Sequence, residues 1–145
     1  MAPHHLTEFT IYLAQRPGEL AGVLEAAAAA GVDIHALAVG EHADKGCVHL
    51  LGSPEEALRH VMESLVESGI GPVVESPVLA VAIDNRPGAV RDISVLMADA
   101  RVNIRRAYMA SGINGQASLC VFRFDDQERA AQVIESLDWP MQKRA

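Results

Sequence analysis

Short apolar stretches and longer amphipathic ones alternate along this 145-residue chain, in an order that occurs twice. Phe9 to Ala14 and Val78 to Ile83 are rich in β-branched or large aliphatic residues and predict strands. Each runs through an Arg-Pro-Gly turn into a helical stripe, Leu20, Val23, Leu24, Ala27 in one copy and Val90, Ile93, Met97, Ala100 in the other. This three-and-four spacing puts each set on one buried helix face. Val32-Asp33-Ile34 and Val102-Asn103-Ile104 each lead into a second strand. Asp44-Lys45-Gly46 and Asn114-Gly115 supply hairpin turns, before third strands from about Cys47 to Leu51 and from about Ala117 to Phe124. A last helix carries Leu58, Val61, Met62, Leu65 or Ala130, Val133, Ile134, Leu137. The acidic starts Ser53-Pro54-Glu55-Glu56 and Asp125-Asp126 suit its dipole.

Identities follow the pattern. Arg16-Pro17-Gly18 returns as Arg86-Pro87-Gly88, an offset of 70 that also carries Val32 onto Val102, Ile34 onto Ile104, Ala28 onto Ala98 and Ala30 onto Ala100. The first copy reads βαββαβ, with its fourth strand near Val73 to Ser76. After Leu137 the second keeps only Asp138-Trp139-Pro140-Met141 and a basic tail, so its last strand is predicted to be short or missing. Pro72 and Pro140 fit edge positions. The expected fold class is α+β: two βαββαβ units in tandem, residues 6–76 and 77–145, with helices on one face of an antiparallel sheet.

Composition narrows the function. Half of the residues are hydrophobic but only 4% aromatic, so the core must be aliphatic. A net charge of −7 and a pI near 5.3 repel a phosphate backbone and exclude a general basic footprint for nucleic acid or anionic lipid. No apolar run approaches the roughly 20 residues of a membrane span, and Met1-Ala2-Pro3-His4-His5 lacks the layout of a secretory signal. Cys47 and Cys120 form no framework and sit in apolar strands, so they read as buried, inert thiols in a reducing cytoplasm.

Asn85-Arg86-Pro87-Gly88, a helix, and then Val102-Asn103-Ile104 resembles the ACT domain, a ferredoxin-like regulatory module of amino-acid-pathway enzymes. The second copy is most similar to the serine-binding ACT domains of phosphoglycerate dehydrogenases. There an asparagine before the Pro-Gly turn and another 18 residues later hold the effector, and here those positions are Asn85 and Asn103. The first copy keeps the spacing with Gln15 and Asp33. The resemblance implies two units whose sheets join side by side, with free amino acids bound between units near the first turn and helix. It places the ligand at Gln15, Pro17, Gly18, Glu19, Leu20, Asp33 and Ile34, and at Asn85, Pro87, Gly88, Ala89, Val90, Asn103 and Ile104.

The chemistry fits those positions. An amino acid offers a carboxylate and an ammonium, and the N–H groups at a helix start form an anion site. Pro17 and Pro87 preset the turn, and Gly18 and Gly88 leave room for close approach. Asp33 or Asn103 offers oxygen to the ammonium, while Gln15 and Asn85 can donate and accept. The bland alternative is that each Pro-Gly pair is only a turn.

Other residues offer further chemistry. Arg101, Arg105 and Arg106 could pair with Asp33, Glu41 or Asp44, or meet the ligand carboxylate, and Tyr108 shares a face with Arg106. A metal sensor would use Cys47 and His49 with His35 and His42 nearby, fewer ligands than a nickel or zinc site prefers. No phosphate loop, His-Glu-x-x-His or Gly-x-Ser-x-Gly motif marks an enzyme. The expectation is therefore a non-catalytic sensor without a cofactor, a homodimer whose partner is a separate biosynthetic enzyme.

Overall fold

The computed structural model describes residues 3–110 and 118–137. Its elements run β1 (His4–Leu13), α1 (Glu19–Ala29), β2 (Asp33–His42), β3 (Lys45–Ser53), α2 (Glu55–Glu67), β4 (Val73–Ile83), α3 (Ala89–Asp99), β5 (Ile104–Ala110), β6 (Ser118–Phe124) and α4 (Gln127–Glu135). The architecture is α+β with two units, as the pattern predicts. One unit spans Thr7–Ser76; the other starts at Pro77 and includes residues 3–6 from the beginning of the chain.

In the first unit the strands lie in the order β2-β3-β1, with the start of β4 beyond β1. The antiparallel register sets Ile11 opposite Val48 and Val39 opposite Val48. Phe9, Ile11, Leu13, Val48 and Leu50 meet Val23, Ala27, Leu58, Val61, Met62 and Leu65 in one aliphatic core. All four stripe positions expected of α2 are buried, whereas Leu20 and Leu24 of α1 are half-buried at the rim. In the second unit the order is β4-β6-β5, and the start of β1 neighbours β4. Leu79, Val81, Ile83, Cys120, Phe122 and Phe124 pack against Ile93, Met97, Ala130, Ala131 and Ile134. Residues 4–6 thus stand where a fourth strand of this copy belongs. The tail after Leu137 and the Asn114-Gly115 turn lie outside the described residues.

Several boundaries shift from expectation for local reasons. β4 is one continuous strand through the exposed Pro77, joining two stretches that read as separate. The first hairpin turns at Ala43-Asp44, one position early, because Lys45 and Gly46 already pair with His42 and Glu41. Ala43 takes the strain, at φ 54°. Each second strand carries an irregularity at the same place, between Ile34 and Ala36 and between Ile104 and Arg106. Among the described residues no helix is long and apolar enough to cross a membrane.

Candidate functional site

The two Arg-Pro-Gly turns have one geometry. Arg16 N–H donates to Ala14 O at 2.9 Å and Arg86 N–H to Asp84 O at 3.0 Å. Gly18 and Gly88 then adopt φ 89° and φ 85°, and Gly22 and Asp92 begin the helical bonding to their carbonyls. A Cβ on Gly18 would meet nothing within 4 Å, and one on Gly88 only Arg86 Nη1 at 3.8 Å. Glycine is therefore required by the left-handed backbone and not by crowding. Neither α1 nor α3 has a side-chain cap, so their first turns keep N–H groups without an intrahelical partner.

Above the first turn the end of β1, the start of α1 and the β2-β3 hairpin enclose a cleft of about 330 Å³. Its apolar wall is Leu13, Leu20, Val39 and Val48, and its polar rim holds Gln15, Arg16, Glu19 and Glu41. Arg16 Nε and Nη2 both donate to Glu19 Oε1, at 3.1 and 2.8 Å. Arg16 stays mostly exposed while Glu19 is largely covered. Two carboxylates against one guanidinium leave the rim one negative charge in excess. Such a surface can seat an ammonium on Glu41, a carboxylate on Arg16 or the helix start, and a small aliphatic group on the wall.

Gln15, Glu19 and Leu20 line this cleft, and Pro17 and Gly18 form the turn beside it. Asp33 and Ile34 lie at the other end of α1. Eleven helical residues rise about 16 Å, so Gln15 and Asp33 of one unit do not share a ligand. Asp33 is paired in register with Ser53 and lies 3.8 Å from His35 Nδ1, and Ile34 packs on the core rim. Asn85 and Asn103 are separated in the same way by α3. Asn103 N–H donates to Asp125 Oδ1 at 2.9 Å and its carbonyl accepts from Asp125 N–H, while Ile104 pairs with Phe124. Asn85, Pro87 and Gly88 are exposed; Ala89 is buried in the core and Val90 packs on its rim.

The second turn is furnished differently. Arg86 lies half-buried across it, donating from Nη2 to Asp92 Oδ2 at 2.8 Å and from Nη1 to Pro87 O at 3.3 Å. Ala89 stands where the first copy has Glu19, and Met109 where it has Val39. Arg101 and Arg105 are exposed and make no ion pair with the described residues. Of the candidate metal-ligating histidines, His49 reaches Cys47, His35 bonds Ser53 at 2.8 Å, and the His42 ring lies tilted against Tyr12, centroids 5.9 Å apart. No group of three or more His, Cys, Asp or Glu among the described residues could hold a metal ion. Sequence reasoning missed Leu13, Val39, Gly40, Gly46 and Val48 as cleft residues. Placing the hairpin turn one position early puts Val39 opposite Val48 and Glu41 opposite Gly46, the register that finds them.

This pair of βαββαβ units, each with an uncapped Pro-Gly helix start, defines a regulatory module: residues 4–143 match the model of the ACT domain pair, and the chain belongs to that family. Solved structures share the fold. Protein BT0572 from Bacteroides thetaiotaomicron aligns with a TM-score of 0.79 at 21% identity, covering 92% of this chain and 88% of that one. The regulatory subunits of aspartate kinase from Thermus thermophilus and Thermus flavus align at TM-scores of 0.64 and 0.61, with 16% and 20% identity and 92% of each chain covered. A search of curated protein sequences finds no match.

Proposed function

We propose that this chain is a non-catalytic sensor that binds a free α-amino acid in the cleft beside α1 and passes its occupancy to a separate biosynthetic enzyme. The observation that carries the reading is the cleft itself. At about 330 Å³ it lies at the small end of ligand pockets, with an apolar wall and few polar groups at its rim. Glu41 and Gln15 would take the ammonium, Arg16 and the α1 N-terminus the carboxylate, and Leu13, Leu20, Val39 and Val48 the side chain. The shared fold of aspartate kinase regulatory subunits supports the link to a partner enzyme. An amino-acid ligand is supported by the alignment, at a TM-score of 0.57 and 18% identity over 98% of this chain and 32% of that one, with Escherichia coli aspartokinase III solved in complex with lysine and aspartate. The Asn85-Pro87-Gly88 turn is the weaker seat in this reading, since Arg86 is half-buried where Arg16 is exposed and Ala89 stands where the first copy has Glu19. Asp33 and Ile34 do not reach the cleft of the first unit, Asn103 and Ile104 lie across α3 from the Asn85 turn, and all four would serve a ligand only from a second ACT unit, as in a homodimer.

Thermal unfolding against all twenty free amino acids tests this directly. A ligand at one hundred times its dissociation constant adds about 2.7 kcal/mol to stability. One or two related amino acids should raise the melting temperature, and Glu41→Gln should remove the shift while leaving the unliganded midpoint in place. A flat response to all twenty rejects the sensor reading.

A further inference from the structure

The lining of the cleft beside α1 discriminates among ligand side chains. Three residues lie in one row across the strands beneath it: Leu13 of β1 pairs with Gly46 of β3, and Gly46 with Glu41 of β2. The next row holds Ile11, Val48 and Val39. Leu13 and Val48 are buried and Leu20 of α1 is half-buried. Val39 is 57% exposed, the most exposed large apolar side chain among the described residues. The aliphatic wall is therefore covered at its back and bare at Val39, where a further apolar group gains most by binding.

Gly46 sets the floor. It lies within β3 and has no positive φ, so its backbone does not demand glycine. A Cβ there would meet Leu13 O at 3.6 Å, Leu13 Cβ at 3.8 Å and Gln15 Oε1 at 3.9 Å, all ordinary contacts. Neither backbone nor packing requires the missing side chain. Its consequence is open volume between the aliphatic wall and Glu41.

Charge and apolar contact favour different ligands. The excess negative charge at the rim suits a cationic side chain, but Glu41 is exposed, and an ion pair in water changes affinity by at most about fivefold. Covering Val39 and the wall with a branched aliphatic side chain gives roughly tenfold to a hundredfold. A lysine stem can lie on the same wall, yet it loses more rotamer freedom than valine or leucine does. An acidic side chain meets a rim already negative, and a hydroxyl or amide pressed on the wall loses its bonds to water.

Taking the cleft as an amino-acid seat, on which this rests, we propose that it is specific for a branched aliphatic amino acid, valine, leucine or isoleucine, and that Gly46 admits the side chain.

All twenty amino acids are ranked by thermal shift of the full chain, and dissociation constants follow from titration calorimetry. The best branched ligand should bind more tightly than lysine, and roughly tenfold or more tighter than alanine, which lacks the methyl groups that reach the wall. Gly46→Val fills the floor and should weaken that ligand by roughly tenfold, and alanine by less. Val39→Thr, at an exposed position that the core does not use, should narrow the gap between the branched ligand and alanine. Tighter binding of any amino acid outside this class overturns the assignment and leaves an amino-acid sensor standing. So does a folded Gly46→Val chain that binds the branched ligand as the parent does, or a Val39→Thr chain that keeps the parent's gap. A flat response to all twenty rejects the seat and the class together.

Discussion

Arg101 occupies a position where the other copy has glycine. Gly31 closes α1 at φ 72°, and Arg101 closes α3 at φ 58°. In both, the residue after the left-handed one bonds back to the helix's third-last carbonyl, Val32 N–H to Ala27 O at 3.0 Å and Val102 N–H to Met97 O at 2.9 Å. The backbone demands a left-handed residue, and a β-carbon there costs about 1–2 kcal/mol. Gly31→Ala should therefore lower stability by about 1 kcal/mol. Arg101→Gly should raise it slightly, because relief of strain exceeds the added freedom of the unfolded chain by a few tenths to about 1 kcal/mol. Urea denaturation of the two variants, read against the parent, gives opposite signs if the geometry is as described. Nothing in the composition of the second copy signals this strain. It becomes visible only when the two copies are aligned at their common offset.

At the scale of elements, the helices were legible because burial obeys one periodicity and the caps obey local chemistry. Leu58, Val61, Met62 and Leu65 are the buried face of α2 as read, and Asp126 accepts from Arg129 N–H at 3.0 Å at the start of α4. Asp126→Ala should cost about 1 kcal/mol, measured by thermal melting, with the loss confined to the second unit in hydrogen exchange. Strand ends were less legible. A hairpin register depends on which two residues absorb the turn, and Ala43 is not a residue that favours positive φ. The one-position error hid the pairing of Val39 with Val48 and, with it, the wall of the cleft. The lining of the cleft was correspondingly legible only in part. Gln15, Glu19 and Leu20 follow from the motif, but Asp33 was grouped with them by sequence spacing, and the length of a helix keeps them apart.

Over the whole molecule, the repeat visible in the sequence is not the partition of the structure. The second unit contains residues 3–6 as well as Pro77 onward, and the start of β1 neighbours β4. Removing the chain up to Leu6 should therefore weaken a unit that begins some seventy residues later. A few lost ladder bonds, each contributing about 0.5–1.5 kcal/mol, should speed amide exchange in Leu79–Ile83 while Phe9–Leu13 keeps its protection. Uniform loss in both units, or none, contradicts this assignment.

The order of synthesis takes on meaning from the same arrangement. Residues 4–6 leave the ribosome before the first unit, yet the β4 residues of their own unit are made after the entire first unit is complete. Thr7–Ser76 can close during translation with a short strand segment projecting from it, and that segment waits for the later half of β4 to arrive. Two separate genes cut at the sequence repeat would each encode an imperfect product, one with a stray strand and one lacking it. A rearrangement that places residues 4–6 after the elements of their own unit would make the cut clean.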